Sequence, residues 1–289
     1  MSDAPERLTV AKTYTLHIAG AFPRSESGRV RPVHTADGRF LANTAHASRK
    51  DVRDAVTAAR GAFGGWSRAE AQHRGQVLHR IAEMLEGRSG QFAAESAATG
   101  HRSPDEAAGD AAAAVDRLVW YAGWADKVTA VLGGIRAVPG PQLCVSAPKP
   151  AGIAGILAPG GTGLLGVVSV LAPALAVGNT CVLVADEEPL PVLTFAEVLA
   201  TSGIPPGAVN VLTGPLAELG PTLAEHADVD LLDPSGADPE LRAQLARGAA
   251  ASAKRVLDPP PEDFSADPGL RRLRACTERT SVRHPAAAP

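Results

Sequence analysis

Residues 152–168, GIAGILAPGGTGLLGVV, contain a β-rich apolar run, a glycine-rich turn and the start of a helical run. Within the turn and the helix start, Gly161, Gly163 and Gly166 have the spacing G-x-G-x-x-G. Between a strand and a helix, this spacing is typical of a loop that binds the pyrophosphate of a dinucleotide. The chain holds 29 glycines, so the spacing also arises by chance. From these residues alone, a phosphate loop and a plain tight turn remain about equally open.

Four further β-rich runs follow, and helical runs separate them. They are TCVLVA (180–185), AVNVL (208–212), DVDLL (228–232) and KRVL (254–257). This alternation predicts an α/β fold with an open five-stranded parallel Rossmann-like sheet and helices on both faces. Ligands of such sheets bind at the carboxyl ends of the strands. Asp186 and Glu187 directly follow the second run, so either carboxylate is a candidate to accept hydrogen bonds from a ribose.

The sequence before residue 152 has a different organisation. Short alternating runs, YTLHIAG (14–20) and GRVRPVH (28–34), predict a small N-terminal antiparallel arm. Amphipathic helices follow, and Ser48 is a candidate N-cap for the first of them. Ser103, Pro104 and Glu106 form a capping box with proline at the first helical position.

Composition excludes several classes of function. The chain is 45% hydrophobic and 20% charged with a formal net charge of −3, which is typical of a soluble globular protein and does not favour nucleic acid as a partner. Its three cysteines are far apart, so no zinc site is expected. The start lacks the order of a signal peptide, which predicts a cytoplasmic protein. The uncharged stretch between Lys149 and Asp186 is split by Pro159, which favours a buried strand and helix over a membrane span.

The two ends of the chain differ from the middle. Residues 1–13 are expected to be a flexible N-terminus. Residues 258–289 contain a proline triplet, clustered arginines and no apolar periodicity, which predicts a disordered tail. The domain prediction is therefore one folded unit over residues 14–257.

Several blocks together resemble the aldehyde dehydrogenase superfamily. They are LAPALAVGNTCVLVADEEP (171–189), SGIPPGAVNVLTG (202–214) and HADVDLL (226–232). The resemblance covers roughly residues 14–257, which correspond to the family's NAD(P)-binding half. It implies NAD or NADP as cofactor. The cofactor-binding positions that it implies are Pro159, Gly161, Glu187, Gly214 and Gly236.

The departures from the family pattern concern the residues that perform chemistry. Gly161 stands at the position of the family's oxyanion-binding Asn, and Pro259 at that of its general-base Glu. Val184 stands at the position of a ribose-binding Lys, and Ala237 at that of a Ser near the pyrophosphate. Binding of NAD(P) is therefore expected to be weak or lost.

The family's nucleophilic cysteine belongs to a catalytic domain downstream of the general-base motif, beyond the end of this sequence. Cys276 is the only cysteine near enough to consider, and it lacks the glycine-rich surroundings of that nucleophile, so no catalytic role is expected for it. Cys181 is expected to be a small core residue.

Three functions remain open from the sequence. The first is a catalytically inactive family member that acts as a partner or regulatory subunit of a full-length aldehyde dehydrogenase. The second is an NAD(P)-dependent oxidoreductase acting on aldehydes, and the third is a nucleotide-binding sensor. The segment LCVSAPKPAGIAG (143–155) resembles the family's strand that bridges subunits. In the family this strand pairs with a neighbour's catalytic domain, so a homodimer of this chain is expected to leave its edge open. The expected partner is a full-length aldehyde dehydrogenase subunit, with a homo-oligomer as the alternative.

Overall fold

The computed structural model describes residues 11–258 and 262–285. The helices are α1 (Arg49–Arg68), α2 (Ala71–Glu86), α3 (Ser89–Ala98), α4 (Pro104–Trp124), α5 (Val128–Leu132), α6 (Gly163–Ala176), α7 (Pro189–Thr201), α8 (Leu216–Glu225), α9 (Pro239–Ala250) and α10 (Arg271–Ala275). The strands are β1 (Thr13–Tyr14), β2 (Val30–His34), β3 (Phe40–Ala45), β4 (Gly134–Arg136), β5 (Gln142–Pro150), β6 (Ile153–Leu157), β7 (Thr180–Ala185), β8 (Val209–Thr213), β9 (Leu231–Asp233), β10 (Arg255–Val256) and β11 (Thr277–Pro285).

The central sheet has five parallel strands in the order β10-β9-β6-β7-β8. Helices α6, α7, α8 and α9 connect consecutive strands, which the parallel arrangement requires. The predicted α/β fold with an open five-stranded parallel sheet is therefore confirmed. The chain reverses its direction of strand addition at β6, so the loop after β6 lies at the point where such sheets bind ligands.

Side chains of the central strands alternate between two hydrophobic clusters. Ile156 and Leu183 belong to one cluster, which also contains residues of α2, α4, α6 and α7. Leu157 and Val182 belong to the other, together with residues of α1, α8 and α9. Because both faces of the sheet are covered, β6 and, after Thr180, β7 are apolar without interruption. Cys181 is fully buried in β7, as expected of a core residue.

Both predicted helix starts are confirmed. The Ser48 side chain accepts hydrogen bonds from the backbone N–H groups of Lys50 and Asp51, and the Asp51 carboxylate accepts from the Ser48 N–H. Ser103 and Glu106 form the reciprocal pair at the start of α4. The apolar α6 is buried along its length, and none of the helices in the described residues is long and apolar enough to cross a membrane.

The predicted antiparallel arm is correct for one of its two strand pairs. β2 pairs with β3 in antiparallel orientation, whereas the short β1 pairs with β3 in parallel orientation. The Tyr14 hydroxyl holds β1 in place by donating a hydrogen bond to Glu95 Oε1 at 3.0 Å. This contact joins β1 to α3, so local alternation in the sequence could not reveal it.

A third sheet contradicts two predictions. Its order is β11-β5-β4, and β11 pairs with β5 in antiparallel orientation from Thr277–Pro150 to Pro285–Gln142. The expected open edge of the bridging segment is therefore wrong, because the chain's own C-terminal strand covers it. The predicted disorder is also wrong for residues 262–285, since this segment forms α10 and β11. The remaining end predictions, for residues 1–10, 259–261 and 286–289, lie outside the described residues.

Candidate functional site

A cleft of about 470 Å³ opens at the carboxyl edge of the central sheet. The loops after β6, β7 and β9 form most of its walls, and the segment before α10 completes them. The lining residues are Pro159, Gly160, Gly161, Thr162, Glu187, Ser235, Gly236, Ala237, Asp238, Arg242, Glu262 and Phe264. The cleft lies where an open parallel sheet binds its ligand, so it is the candidate functional site.

The structure brings together four of the five predicted cofactor-binding residues. Pro159, Gly161, Glu187 and Gly236 all line the cleft. Gly214 is not among the lining residues, and its N–H donates to the Ala185 carbonyl at 3.0 Å. Gly214 directly follows β8, and this hydrogen bond joins the end of β8 to the end of β7. Binding of a cofactor by the other four stays a prediction.

Backbone conformation explains Gly161 of the G-x-G-x-x-G spacing, and conformation together with close packing at the start of α6 explains Gly163. Gly161 and Gly163 have φ angles of +68° and +65°, a region that favours glycine. A Cβ atom on Gly163 would lie 2.5 Å from the carboxylate oxygens of Asp110. That carboxylate accepts hydrogen bonds from the N–H groups of Leu164 at 2.8 Å and Leu165 at 3.2 Å.

Asp110 therefore occupies the place at which a helix N-terminus binds an anion. It comes from α4, 54 residues away in sequence from Leu164. A pyrophosphate at the same N–H groups would have to displace it. These contacts favour the tight-turn interpretation of the motif over the phosphate loop.

Asp110 also predicts a pH dependence of stability. Its pKa lies above the ordinary value because burial disfavours the ionised form, although the two N–H groups act in the opposite direction. A raised folded-state pKa contributes stability that is present below the unfolded-state pKa and is lost as pH rises through the folded-state pKa. We expect the free energy of unfolding of the wild type, relative to Asp110→Asn, to fall as pH rises from the unfolded-state pKa of about 3.9 through the higher folded-state pKa.

Urea denaturation of both proteins across this pH range measures the effect. The matched control is Asp105→Asn, because Asp105 is an exposed residue in the first turn of the same helix. A stability difference between wild type and Asp110→Asn that rises with pH would contradict the assignment.

The two candidate ribose acids have different environments. The Asp186 carboxylate is bound by Arg31 from β2, with an Nη1–Oδ1 distance of 2.5 Å. Within the described residues Glu187 has no side-chain hydrogen bond or ion pair. Its carboxylate lies against the backbone of Gly160, where a Cβ atom would come within 2.6 Å of Glu187 Cδ. Of the two, Glu187 is the acid that the cleft leaves available to a ligand.

Arg102 does not line the cleft but positions its walls, and the sequence analysis missed it. From the loop before α4, its Nη2 atom donates to the Gly161 carbonyl at 2.8 Å, and its Nη1 atom is ion-paired with Glu188. Both side chains of that pair are largely buried. The guanidinium thereby ties the loop after β6 to the loop after β7. No local pattern around Arg102 indicates this, because its partners are 59 and 86 residues away.

The segment before α10 supplies one wall of the cleft, also missed by the sequence analysis. Glu262 and Phe264 lie in this wall. Arg272, buried on α10, holds it by ion pairs to Asp233 at 2.6 Å and to Glu262 at 2.6 Å, and by a hydrogen bond to Ser235 at 3.0 Å. A segment predicted to be disordered is therefore part of the candidate site.

Carboxylates outnumber cations in the cleft. Glu187, Asp238 and Glu262 line it, against Arg242 alone. The Arg242 guanidinium already donates to the carbonyls of Ala237 at 2.9 Å and Ser235 at 3.3 Å. Asp238 caps α9 by accepting from the Leu241 N–H, so a carboxylate also occupies the helix N-terminus beside the cleft. Arg271 and Arg272 compensate the charge of Glu262. Glu187 and Asp238 have no ion pair within the described residues, so these two carboxylates disfavour the entry of a pyrophosphate.

The comparison with known families decides the identity of this fold. The model of the family described as "Aldehyde dehydrogenase family" matches residues 22–257. The chain belongs to the aldehyde dehydrogenase family. The resemblance found in the sequence is therefore confirmed.

Curated aldehyde dehydrogenases match over most of this chain. An aldehyde dehydrogenase of Davidiella tassiana is 32% identical over 244 residues, which is 83% of this chain and 49% of that protein. The human mitochondrial aldehyde dehydrogenase is 33% identical over 229 residues, which is 78% of this chain and 44% of that protein. The chain thus spans about half the length, or less, of the curated relatives it matches.

Solved aldehyde dehydrogenases have the same fold. The NAD-dependent aldehyde dehydrogenase of Sinorhizobium meliloti is similar to this chain with a TM-score of 0.79 and 26% identity. The match covers 85% of this chain and 49% of that one. The Rossmann-like, NAD(P)-binding type of fold is therefore shared with this family.

Positions at which the sequence departs from the aldehyde dehydrogenase pattern can now be placed. Val184 is fully buried in β7, in the cluster on the α1 and α8 face of the sheet, and does not line the cleft. Ala237 lines the cleft with a methyl group that cannot donate a hydrogen bond. No atom lies within 4 Å of the position that a Cβ atom on Gly161 would occupy. Gly161 therefore has no side-chain donor that could bind a substrate oxygen.

Two further residues were considered for catalysis, Cys276 as the nearest cysteine and Pro259 at the position of the general-base Glu. Cys276 is 4% exposed at the end of α10 and is not a cleft residue. Burial, followed by the charge of Asp233, raises the pKa of its thiol to about 12, although Arg272 and Arg255 act in the opposite direction. The thiolate required of a nucleophile is therefore disfavoured near neutral pH. Pro259 lies outside the described residues.

Proposed function

We propose that this aldehyde dehydrogenase family protein does not oxidise aldehydes on its own and acts as a partner or regulatory subunit of a full-length aldehyde dehydrogenase. The observation that carries the first part is the cleft itself. Gly161 supplies no oxyanion donor there, and the buried Cys276 thiol supplies no nucleophile. Loss of one oxyanion-hole donor typically costs about 2.7–4 kcal/mol of transition-state stabilisation.

Weak or absent binding of NAD(P) is part of this proposal. Val184 and Ala237 remove two donors that the family resemblance places around the ribose and pyrophosphate. Two lost hydrogen bonds of about 0.5–1.5 kcal/mol each weaken binding by about one to two orders of magnitude. The Asp110 carboxylate, bound at the start of α6, and the cleft carboxylates Glu187 and Asp238 also disfavour a bound pyrophosphate.

One observation supports the partner role. The third sheet exposes large apolar side chains, including Ile135 and Leu143. Exposed apolar surface of this kind is typical of protein interfaces.

We expect the purified chain to form no NADH or NADPH when aldehydes are supplied, because the cleft lacks both donor and nucleophile. The measurement is absorbance at the nicotinamide band with short aliphatic and aromatic aldehydes, and a full-length aldehyde dehydrogenase is the positive control. Turnover that survives the substitution Cys276→Ala would contradict the absence of activity and favour an oxidoreductase with another nucleophile.

Calorimetric titration with NAD and NADP separates the nucleotide sensor from the partner subunit. A submicromolar dissociation constant would favour the sensor, in which Glu187 would bind the ribose.

For the partner role, co-expression with a full-length aldehyde dehydrogenase from the same cell should give a mixed complex in native mass spectrometry. Failure to form that complex would count against the partner role.

A further inference from the structure

The outer edge of β11 is a free strand edge in the described part of the chain. β11 is the terminal strand of the β11-β5-β4 sheet, and no described strand lies on its other side. It is nine residues long, from Thr277 to Pro285, which is enough to form a regular ladder. A free edge of this length is a template for pairing with another strand.

The direction of the backbone groups in β11 follows from one hydrogen bond. The Cys276 carbonyl accepts from the Ala151 N–H at 3.2 Å, so it points towards the β5 side. Backbone groups of successive residues in a strand alternate in direction. Even-numbered residues of β11 therefore bond to β5, and odd-numbered residues direct their backbone groups outwards. The residues with outward N–H and C=O groups are Thr277, Arg279, Ser281 and Arg283.

Pro285 agrees with this direction. It is odd-numbered, and its missing N–H would point away from β5, where the β11–β5 ladder needs no donor. Pro148 and Pro150 of β5 agree as well. They are the even-numbered residues of β5, whose backbone groups point away from β11.

We infer that the outer edge of β11 pairs in antiparallel orientation with the β11 edge of a second copy of this chain. Such a contact is two-fold symmetric, and it joins the two three-stranded sheets into one sheet of six strands. The evidence for this pairing is the free edge and the exposed face of the third sheet. The inference therefore does not rest on the proposed lack of activity or on a full-length partner.

The two-fold symmetry of the contact and the alternating direction of the backbone groups in β11 allow only a few pairing registers. Outward residues must face outward residues, so the two-fold axis passes through a residue position. An axis at Ser281 places Arg279 opposite Arg283 of the second copy, and directly opposite like charges are destabilising. An axis at Val282 places Val282 opposite Val282 and Ser281 opposite Arg283, with no like-charge pair.

Apolar side chains select the register centred on Val282. Val282, Val145 and Ile135 face one another across β11, β5 and β4 and so form one row on one face of the sheet. They are 59%, 42% and 74% exposed. Pairing at Val282 continues this row into the second copy, giving six apolar side chains in line. An axis at Thr280 would instead place Val282 opposite Glu278, so the row would end.

The first test uses the full chain in sedimentation and native mass spectrometry over a range of concentrations. We expect the wild type to be dimeric at about 100 µM, and Val282→Lys to raise the dimer dissociation constant at least about tenfold by placing two ammonium groups across the axis. The matched control is Val30→Lys, since Val30 is 53% exposed on β2 in a different sheet. It should leave the dimer unchanged, and thermal unfolding checks that both variants fold.

Disulfide trapping tests the register. In the register centred on Val282, Val282→Cys should form a covalent dimer on mild oxidation, because the two positions are a close, non-hydrogen-bonded pair. Thr280→Cys, on the same face, should cross-link much less. The three native cysteines are buried, so they do not compete.

Three results would overturn this inference. They are a monomeric wild type at about 100 µM, a dimer that Val282→Lys does not weaken, or cross-linking at Thr280→Cys in preference to Val282→Cys. A chain that is monomeric alone but forms a complex with a full-length aldehyde dehydrogenase would overturn the self-pairing and still support the proposed function.

Discussion

Replacement of Arg272 by methionine is expected to lower the free energy of unfolding by about 3–5 kcal/mol. The Arg272 side chain is 5% exposed and is ion-paired with Asp233, which is 4% exposed. Methionine fills a similar volume but leaves the Asp233 carboxylate buried without its counter-charge. Removal of one partner from a buried ion pair is costly for this reason.

The loss should be accompanied by detachment of the C-terminal segment. Arg272 joins Glu262, Asp233 and Ser235, so it connects the wall of the cleft with the end of β9. Limited proteolysis should cut residues 262–285 of the variant faster than those of the wild type. Chemical denaturation followed by circular dichroism measures the change in stability.

Arg271→Met is the matched control. Arg271 is the neighbouring residue and also binds Glu262, at 2.7 Å, but its side chain is 45% exposed. Exposed ion pairs contribute about 0–1 kcal/mol, so this control should change stability little. Equal destabilisation by the two substitutions would show that Arg272 has no special role in holding the segment.

Gly236→Ala is expected to lower the free energy of unfolding by about 1–3 kcal/mol or more. The Gly236 N–H donates to the Leu157 carbonyl at 3.0 Å, which brings the turn after β9 close to the end of β6. An added Cβ atom would overlap the carbonyl oxygen of Ala158 and touch Leu216. Because the main obstacle is backbone, a side-chain rotation cannot relieve it.

A second glycine provides the control for this substitution. Gly109 lies on the exposed side of α4, and a Cβ atom there would meet no atom within 4 Å. Gly109→Ala should therefore raise stability by about 0.5–1 kcal/mol, as expected for alanine in a helix interior. Thermal unfolding of the two variants should shift in opposite directions. A Gly236→Ala protein as stable as the wild type would contradict the close approach of β6 and β9.

The sequence by itself determined the central sheet and the helix starts. Strand β7 occupies the predicted residues Thr180–Ala185, and Ser48 and Ser103 cap the predicted helices. These features depend on apolar periodicity and on capping contacts between residues three apart, so they are visible in short windows of sequence. The family followed from the same windows, because its motifs lie on these strands and turns.

The sequence also located most of the cleft. Pro159, Gly161 and Glu187 lie within three residues of the ends of predicted strands, and the carboxyl ends of parallel strands meet at one edge. It could not distinguish a phosphate loop from a tight turn, because the deciding residue, Asp110, lies on another helix.

Only the tertiary structure decided what fills and closes this edge. Asp110 covers the start of α6, Arg102 ties two loops together, and Arg272 fastens the C-terminal segment to β9. The pairing of β11 with β5, which overturned the predicted disordered tail, spans residues more than a hundred positions apart. Such contacts depend on where folding brings distant segments together. A proline- and arginine-rich segment without apolar periodicity has no local signal for them, because its order comes from a buried ion pair and a strand partner elsewhere in the chain.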